Sequence, residues 1–188
     1  GTIVAFGDSI TDGRCSTSES DVVIPDKYPR WTDILAARLA SQFPNEPKAI
    51  ANEAIAGNRI ISGGNGPPAL QRMDRDLFER AGLSHIIFFE GTNDITGGAT
   101  AAQVITATQQ IIDKAHSKGL AIIGVTVVPR GRPESIMGWT PEMETHRLAV
   151  NTWMRTQAKF DGIISFDEIL KGGPVYAGDT LQTGPSGF

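Results

Sequence analysis

The chain alternates short apolar runs with longer stretches in which apolar residues recur at helical spacing. The apolar runs predict five strands, at Thr2–Phe6, Ala49–Asn52, His85–Phe89, Leu120–Val128 and Gly162–Phe166. The amphipathic stretches predict helices at Trp31–Gln42, Pro68–Arg80, Ala101–Lys118 and from Thr140 to about Lys159. Because strands and helices alternate, we predict an α/β fold: a three-layer α/β/α sandwich around a five-stranded parallel sheet with flavodoxin-like strand order.

Length and charge narrow the class of protein. At 188 residues the chain is expected to form a single domain over residues 1–188. A net charge of −4 and the lack of a basic run argue against a nucleic-acid partner. No apolar stretch is long enough to predict a membrane span. The single cysteine, Cys15, allows no disulfide within the chain and leaves an extracellular and a cytoplasmic location both open.

The two ends of the chain carry their own expectations. The chain begins almost directly in a strand, so we expect that any signal peptide was removed or never existed. Residues 171–188 are rich in glycine and proline and end without a predicted helix. We therefore expect that a closing C-terminal helix is missing, or that this region is built unusually.

Polar residues follow three of the predicted strands at the point where each strand ends. The first strand ends in Gly7-Asp8-Ser9, the second runs into residues 52–58 (NEAIAGN), and the third runs into residues 90–94 (EGTND). The carboxyl ends of adjacent parallel strands lie at one edge of a sheet, where ligands bind. We therefore expect the Ser9 hydroxyl, the Gly57 backbone N–H and the Asn93 side-chain amide to converge. A hydroxyl nucleophile with donors for an oxyanion is the equipment that acyl transfer needs.

Plain structural explanations exist for the same residues. Ser9 and Gly57 could be ordinary turn residues, and Asn93 could brace its own loop. The carboxylates of Asp8, Asp12 and Asp94 could hold a metal, but their spacing does not compel it, and we favour solvation or loop bracing. The sequence GGNG at residues 63–66 could hold a phosphate, but the Lys-Ser/Thr of a phosphate loop does not follow. We interpret it as a flexible loop at the rim of the site.

Three motifs carry a resemblance to a known family. GDSIT (7–11), NEAIAGNR (52–59) and EGTNDI (90–95) resemble, in order and spacing, the first three blocks of the SGNH (GDSL-type) serine hydrolases. The likeness is to the bacterial and fungal esterase branch and runs over essentially the whole chain. It implies that Ser9 is the nucleophile, and that the N–H groups of Ser9 and Gly57 form the oxyanion hole with the Asn93 side chain.

The resemblance also carries expectations about substrates. It implies a small-molecule or glycan ester, with short-chain or acetyl esters of carbohydrates, aryl esters and lipid esters all represented. It implies no metal or organic cofactor, slightly favours a secreted protein, and does not indicate the oligomeric state.

The resemblance breaks at the catalytic histidine. The family carries Asp-x-x-His near the C-terminus, where the carboxylate orients the histidine that takes the serine proton. Residues 179–188 read DTLQTGPSGF, so Asp179 falls at the carboxylate position and Gln182 at the histidine position. A glutamine amide can hydrogen-bond to Ser9 but cannot accept its proton near neutral pH. We expect none of His85, His116 and His146 to substitute, with His146 the least unfavourable of the three.

Three explanations of Gln182 stay open: a natural relative that binds rather than cleaves, a deliberately disabled enzyme, and a chain in which position 182 is in fact histidine. We predict a serine ester hydrolase with Ser9, Asp179 and Gln182 at the catalytic positions. The alternative is a non-catalytic binding protein on the same scaffold, for acetylated glycans for example. A flavodoxin-type flavin binder shares the strand order but would need a hydroxyl-rich phosphate loop after the first strand. The segment Gly131–Thr140 could line the pocket, although its Trp139 could equally be a packing residue.

Overall fold

The computed structural model describes residues 1–14, 30–130 and 138–170, together with the backbone of two short strands near the C-terminus. Cys15, Asp179 and residues 131–137 lie outside the described residues, as do the side chains of residues 171–188.

A five-stranded parallel sheet forms the centre, with strand order β2-β1-β3-β4-β5. The strands are β1 (Thr2–Gly7), β2 (Ala49–Asn52), β3 (Leu83–Phe89), β4 (Ala121–Val125) and β5 (Gly162–Ile164). In register, Val4 of β1 lies beside Ala51 of β2 and Ile86 of β3. The predicted α/β fold and its flavodoxin-like strand order are therefore confirmed. The order places the exits of β2, β1 and β3 next to one another.

Helices connect the strands. They are α1 (Ser9–Asp12), α2 (Trp31–Gln42), α3 (Ala69–Met73), α4 (Thr92–Thr96), α5 (Ala101–Ser117), α6 (Pro141–Thr156) and α7 (Phe166–Leu170). An antiparallel hairpin, β6 (Pro174–Ala177) and β7 (Thr180–Thr183), follows. Helix α6 begins where the sequence predicts, because the Thr140 side chain accepts a hydrogen bond from Met143 N–H and proline occupies the first turn. Helix α5 begins with a full capping box between Thr100 and Gln103.

The two faces of the sheet are packed by different helices, because alternate side chains of a strand point to opposite faces. One face buries a large cluster against helices α3, α5 and α6; its members include Val4, Phe6, Ile86, Phe88, Ile111, Ile112, Ile122, Val150 and Trp153. The other face carries Ile87, Phe89, Val125 and Val128, packed by Trp31 and Leu35 of α2 and by Phe166.

The second face also carries an apolar cleft of about 660 Å³ between the sheet and α2. Its apolar lining comes from the strands (Ile3, Ile87, Ile123 and Ile164) and from α2 and the residue after it (Ile34, Leu35, Leu39 and Phe43). The expectation that a closing C-terminal helix is missing, or that this region is built unusually, stays a prediction. Within the described parts of the chain, no helix is both long and apolar enough to cross a bilayer.

Four sequence expectations need correction. The predicted strand Gly162–Phe166 ends at Ile164, because Phe166 is already the first residue of α7. The predicted strand Leu120–Val128 ends at Val125, because Val127 leaves the ladder and donates its N–H to the Asn151 side chain of α6 at 2.8 Å. The predicted helix Pro68–Arg80 is a short α-helix that widens into a π-helical turn over Asp74–Phe78. Trp139 does not line a pocket: it is fully buried and donates its indole N–H to Glu144 at 3.1 Å, as a packing residue would.

Candidate active site

Ser9 lies at the exit of β1, where the strand turns directly into α1. Gly7 has no room for a side chain, since a Cβ there would lie 2.5 Å from the Thr11 hydroxyl and 2.9 Å from the Phe89 carbonyl. Asp8 caps the helix: its Oδ1 accepts a hydrogen bond from Ile10 N–H at 3.0 Å. As the first residue of α1, Ser9 has a backbone N–H with no intrahelical partner. The local fold thus presents both the hydroxyl and the N–H of Ser9 at the carboxyl edge of the sheet.

Gly57 lies in the loop that follows β2. Its φ of +78° is in the left-handed region, which glycine tolerates and most residues do not. A Cβ at this position would lie 2.7 Å from the Asn65 amide nitrogen. The loop is anchored to β1, because Ile55 donates its N–H to the Gly7 carbonyl at 3.0 Å. Gly57 is therefore held beside the exit of β1 with its backbone free of side-chain obstruction.

Asn93, on α4 after β3, connects the other two strand exits. Its amide nitrogen donates to the backbone carbonyl of Asn58 at 2.9 Å and lies 3.5 Å from Asp8 Oδ2. Asp8 precedes Ser9 and Asn58 follows Gly57. The structure thus brings the three predicted strand exits together through the Asn93 amide.

The three aspartates considered as a metal cluster all brace backbone. Asp8 caps α1, Asp12 Oδ2 accepts from Ala56 N–H at 3.2 Å, and Asp94 accepts from Ile60 and Ile61 N–H at 2.9–3.1 Å. Among the described residues no group of three or more histidine, cysteine or acidic residues is arranged to hold a metal ion. The interpretation of loop bracing accounts for these carboxylates.

The loop GGNG at residues 63–66 is tied to the site. Asn65 donates its N–H to the Gly57 carbonyl at 3.1 Å and its side-chain amide to the Ala56 carbonyl at 2.8 Å. In return, the Asn58 side chain donates to the Asn65 carbonyl at 2.7 Å. This loop therefore fixes the backbone on both sides of Gly57.

A buried ion-pair network lies beneath the site. The Arg72 guanidinium donates to Asp76 at 3.1 Å, to Glu90 at 3.3 Å and to the Gly7 carbonyl at 3.2 Å, and lies 3.9 Å from the centre of the Phe6 ring. Burial and the nearby Asp8 raise the pKa of Glu90 well above its usual range, although Arg72 opposes this. Arg72 therefore joins α3 to the exits of β1 and β3 and compensates the buried carboxylates there.

The acidity of Asp8 is set by the same surroundings. Burial raises the pKa of Asp8 to about 6, while the Ile10 hydrogen bond and the charge of Arg130 lower it and Asp94 raises it further. Arg130 follows β4, and burial lowers its own pKa. Asp8 therefore changes charge in the weakly acidic range, directly behind Ser9 and Asn93.

The side chains of the other two predicted site residues, Asp179 and Gln182, lie outside the described part of the chain. The backbone of Gln182 belongs to β7, where it pairs with Val175, and Asp179 lies outside the described residues. The histidines have other partners or positions. His85 pairs with Ile3 near the start of β1, His116 contacts Asp161 at 3.0 Å on the surface, and His146 lies one turn from Glu142 on α6.

Sequence reasoning missed Arg72, Glu90 and Arg130 as parts of the site. For Arg72 a signal exists: Arg72 and Asp76 fall on the same helical stripe as the buried Ala69, Met73 and Leu77. Two opposite charges at i, i+4 on an apolar face indicate a buried pair. Glu90 and Arg130 each follow a strand, but nothing in the sequence says that either turns inward.

The fold and the clustered strand exits define a three-layer α/β protein with polar groups gathered at the carboxyl edge of a parallel sheet. The chain belongs to the GDSL-like lipase/acylhydrolase family, whose model matches residues 5–183. This confirms the resemblance seen in the three sequence motifs and places the protein in a family of hydrolases. A search among curated proteins finds no match.

Solved structures share the fold at low sequence identity. TesA is 21% identical with a TM-score of 0.66, over 92% of this chain and 83% of that one. AlinE4, an SGNH-hydrolase family esterase, is 19% identical with a TM-score of 0.65, over 90% and 78%. The acetyl xylan esterase AlAXEase is 15% identical with a TM-score of 0.66, over 90% and 79%. This likeness confirms the SGNH-hydrolase fold.

Proposed function

We propose that this protein is a carboxylic ester hydrolase in which Ser9 forms an acyl-enzyme. The observation that carries the proposal is the placement of the Asn93 amide. One of its hydrogens is donated to the Asn58 carbonyl at 2.9 Å, whereas the other meets only Asp8 at a long 3.5 Å. This leaves a fixed donor, beside the N–H groups of Ser9 and Gly57, for an oxyanion. Donors fixed in advance are the main source of transition-state stabilisation in acyl transfer.

The reaction then proceeds in two steps. Ser9 Oγ attacks the ester carbonyl, and the carbonyl oxygen becomes an oxyanion that accepts hydrogen bonds from Ser9 N–H, Gly57 N–H and Asn93 Nδ2. The C–O bond to the alcohol breaks, and the alcohol leaves with the proton that Ser9 has lost. Water then attacks the acyl group, which releases the carboxylic acid and restores the Ser9 hydroxyl.

The substrate we propose is a short-chain or acetyl ester. The family includes lipases and acylhydrolases, and one structural neighbour is an acetyl xylan esterase. An acetylated carbohydrate is therefore the first substrate to test, with aryl and lipid esters after it.

Gln182 limits the rate that we expect. With glutamine at the base position and Asp179 before it, the proton of Ser9 has no side-chain acceptor there, and water must take it. In a serine triad the loss of one member leaves only about 10³–10⁴-fold acceleration over water, from the oxyanion hole and binding. For this reason the second candidate function is the binding of acylated ligands without turnover, which Gln182 specifically favours.

Restoring the base tests the proposal. We expect Gln182→His to raise the hydrolysis of p-nitrophenyl acetate by about 10³-fold or more, because the new imidazole can take the Ser9 proton. The matched control is Gln182→Asn, which keeps an amide and should give no gain. Adding Ser9→Ala to Gln182→His should abolish the gain.

The outcomes separate the two candidates. If the folded Gln182→His variant is no faster than the starting protein and neither shows turnover that Ser9→Ala removes, the ester hydrolase is rejected. If the starting protein already turns over at a rate that Ser9→Ala removes, the non-catalytic binding protein is rejected instead.

A further inference from the structure

A second pocket, of about 200 Å³, adjoins the segments that carry the oxyanion donors. We call it the Arg59 pocket; its polar and glycine residues are Arg59, Ser62, Asp94, Gly97, Gly98 and Gln103. Asp94 directly follows Asn93, and Arg59 lies two residues after Gly57. The pocket is therefore built from the continuation of the same two loops as the candidate active site.

Three glycines form a slot around the Arg59 side chain. A Cβ on Gly97 would lie 2.4 Å from the guanidinium carbon, so the guanidinium lies directly on the Gly97 backbone. Cβ atoms on Gly63 and Gly64 would lie 3.2 Å from Nη1 and 3.0 Å from Cγ of Arg59. Any larger residues in this slot would push the arginine aside. The GGNG loop, interpreted from the sequence as a flexible loop at the rim of the site, thus positions a cation in the structure.

The Arg59 guanidinium has no protein partner among the described residues. Its Nε is buried without a hydrogen-bond acceptor, and it forms neither a salt bridge nor a side-chain hydrogen bond within that part of the chain. The contrast is with Arg72 and Arg147, which are buried and engaged by carboxylates and backbone carbonyls. The buried Nε is out of reach of a ligand, but Nη1 and Nη2 are not closed off in this way and have no acceptor in the described part of the chain. An acceptor from outside the protein can therefore bind these two terminal nitrogens.

Asp94 does not fill that role. Its Oδ1 accepts from both Ile60 and Ile61 N–H at 3.1 Å, and its Oδ2 accepts from Ile60 N–H at 2.9 Å. The carboxylate is thus committed to the backbone of the loop. It is a neighbouring negative charge for Arg59 and not its hydrogen-bond partner.

We propose that the Arg59 pocket binds a negatively charged group, a carboxylate or a phosphate, carried by the substrate close to its ester bond. The planar guanidinium suits both groups, since it donates two parallel hydrogen bonds to their oxygens. Ser62 and Gln103 add neutral donors at the wall. The volume is below the 300–1,000 Å³ or so of a pocket for a drug-sized ligand, so one small group or one sugar ring fits. An acetylated sugar acid or sugar phosphate is the corresponding ester. That the anion belongs to an ester substrate rests on the proposed hydrolysis, whereas anion binding by Arg59 does not.

Binding can be measured without turnover. Isothermal titration calorimetry of the full chain at fixed ionic strength would use glucuronate, inorganic phosphate and, as the neutral comparison, glucose. We expect glucuronate or phosphate to bind and glucose to bind at least tenfold more weakly. Arg59→Gln should weaken anion binding about tenfold or more, the fold-change typical of a lost hydrogen bond to a charged group.

Two further variants test whether anion binding depends on where the Arg59 guanidinium lies or only on the number of positive charges. Gly97→Ala keeps Arg59 and every charge, and alanine tolerates the φ of −81° at this position. Its Cβ would displace the guanidinium, so the variant should weaken anion binding as Arg59→Gln does. Arg38→Gln removes one exposed positive charge from α2 and should leave binding unchanged. If Arg59→Gln fails to fold by circular dichroism, Gly97→Ala decides the question.

The results that would overturn the pocket differ from those that would overturn the ester hydrolase. Equal binding of glucose and glucuronate, no binding of either anion, or anion binding unaffected by Gly97→Ala rejects the anion pocket. Stronger binding of glucuronate than phosphate assigns the carboxylate, and the reverse assigns the phosphate; both support it. If the anions bind but the Gln182→His variant hydrolyses neither acetylated glucuronate nor p-nitrophenyl acetate, the pocket stands and the ester hydrolase does not.

Discussion

Asp8 offers a quantitative test of the electrostatics behind Ser9. Burial raises its pKa from 3.8 to about 6. The folded protein therefore keeps a proton on this carboxyl at pH values where the unfolded chain has released it. The free energy of unfolding accordingly decreases as the pH rises from about 4 to about 6, and the loss is complete by about pH 7. A shift of about two units corresponds to roughly 3 kcal/mol, at about 1.36 kcal/mol per unit.

The perturbation is Asp8→Asn, which removes the titration and keeps an oxygen that can accept the hydrogen bond from Ile10 N–H. The free energy of unfolding of the variant, relative to that of the starting protein, should be about 3 kcal/mol higher at pH 8 than at pH 4. Glu90 reinforces this effect, because Asp8 raises the pKa of Glu90 as well. Asp8→Asn also removes the attraction between Asp8 and Arg130. The pKa of about 6 already includes that attraction, so it needs no separate correction.

The assay is urea unfolding of both proteins at pH 4 and pH 8, followed by circular dichroism and extrapolated to water. Asp113→Asn, which removes a carboxylate from the exposed face of α5, controls for the loss of one surface charge. A stability difference that is the same at both pH values, or one that the control reproduces, would show that Asp8 is not the carboxyl that holds the proton.

The other predictions concern the buried ion pairs and the loop that carries Gly57. Arg72→Leu should destabilise the fold by about 3–5 kcal/mol, because it leaves Glu90 buried without its cation and Asp76 with only the exposed Arg75. Urea unfolding at pH 7 measures the loss, and a loss below about 1 kcal/mol would contradict the compensating role of Arg72. Gly57→Ala should cost about 1–2 kcal/mol from the positive φ, and more from overlap with Asn65; thermal unfolding measures it.

Gly98→Ala is the matched control for the change at Gly57. Its φ of +91° is also positive, but a Cβ there meets no atom within 4 Å. It should therefore show the backbone cost alone. If the two variants lose equal stability, the close approach of Asn65 to Gly57 does not constrain the loop.

The sequence alone determined the order of the secondary-structure elements and the edge of the sheet at which the candidate site residues lie. Apolar runs such as His85–Phe89 are typical of buried strands, and alternation with helices favours a parallel sheet, in which the polar strand exits fall on one side. Ser9, Gly57 and Asn93 were found in this way, because each directly follows a strand or its loop. The bounds of α2 and β2 were also predicted to the residue.

The tertiary structure decided which of the polar residues turn inward and what they meet. Arg72 lies 65 positions from Gly7 and 18 from Glu90, and local patterns do not encode contacts across such separations. The raised pKa of Asp8, the burial of Trp139 and the glycine slot around Arg59 likewise depend on segments that meet only after packing. Local preferences fix where an element begins and ends, whereas desolvation and charge at a site are sums over everything packed around it.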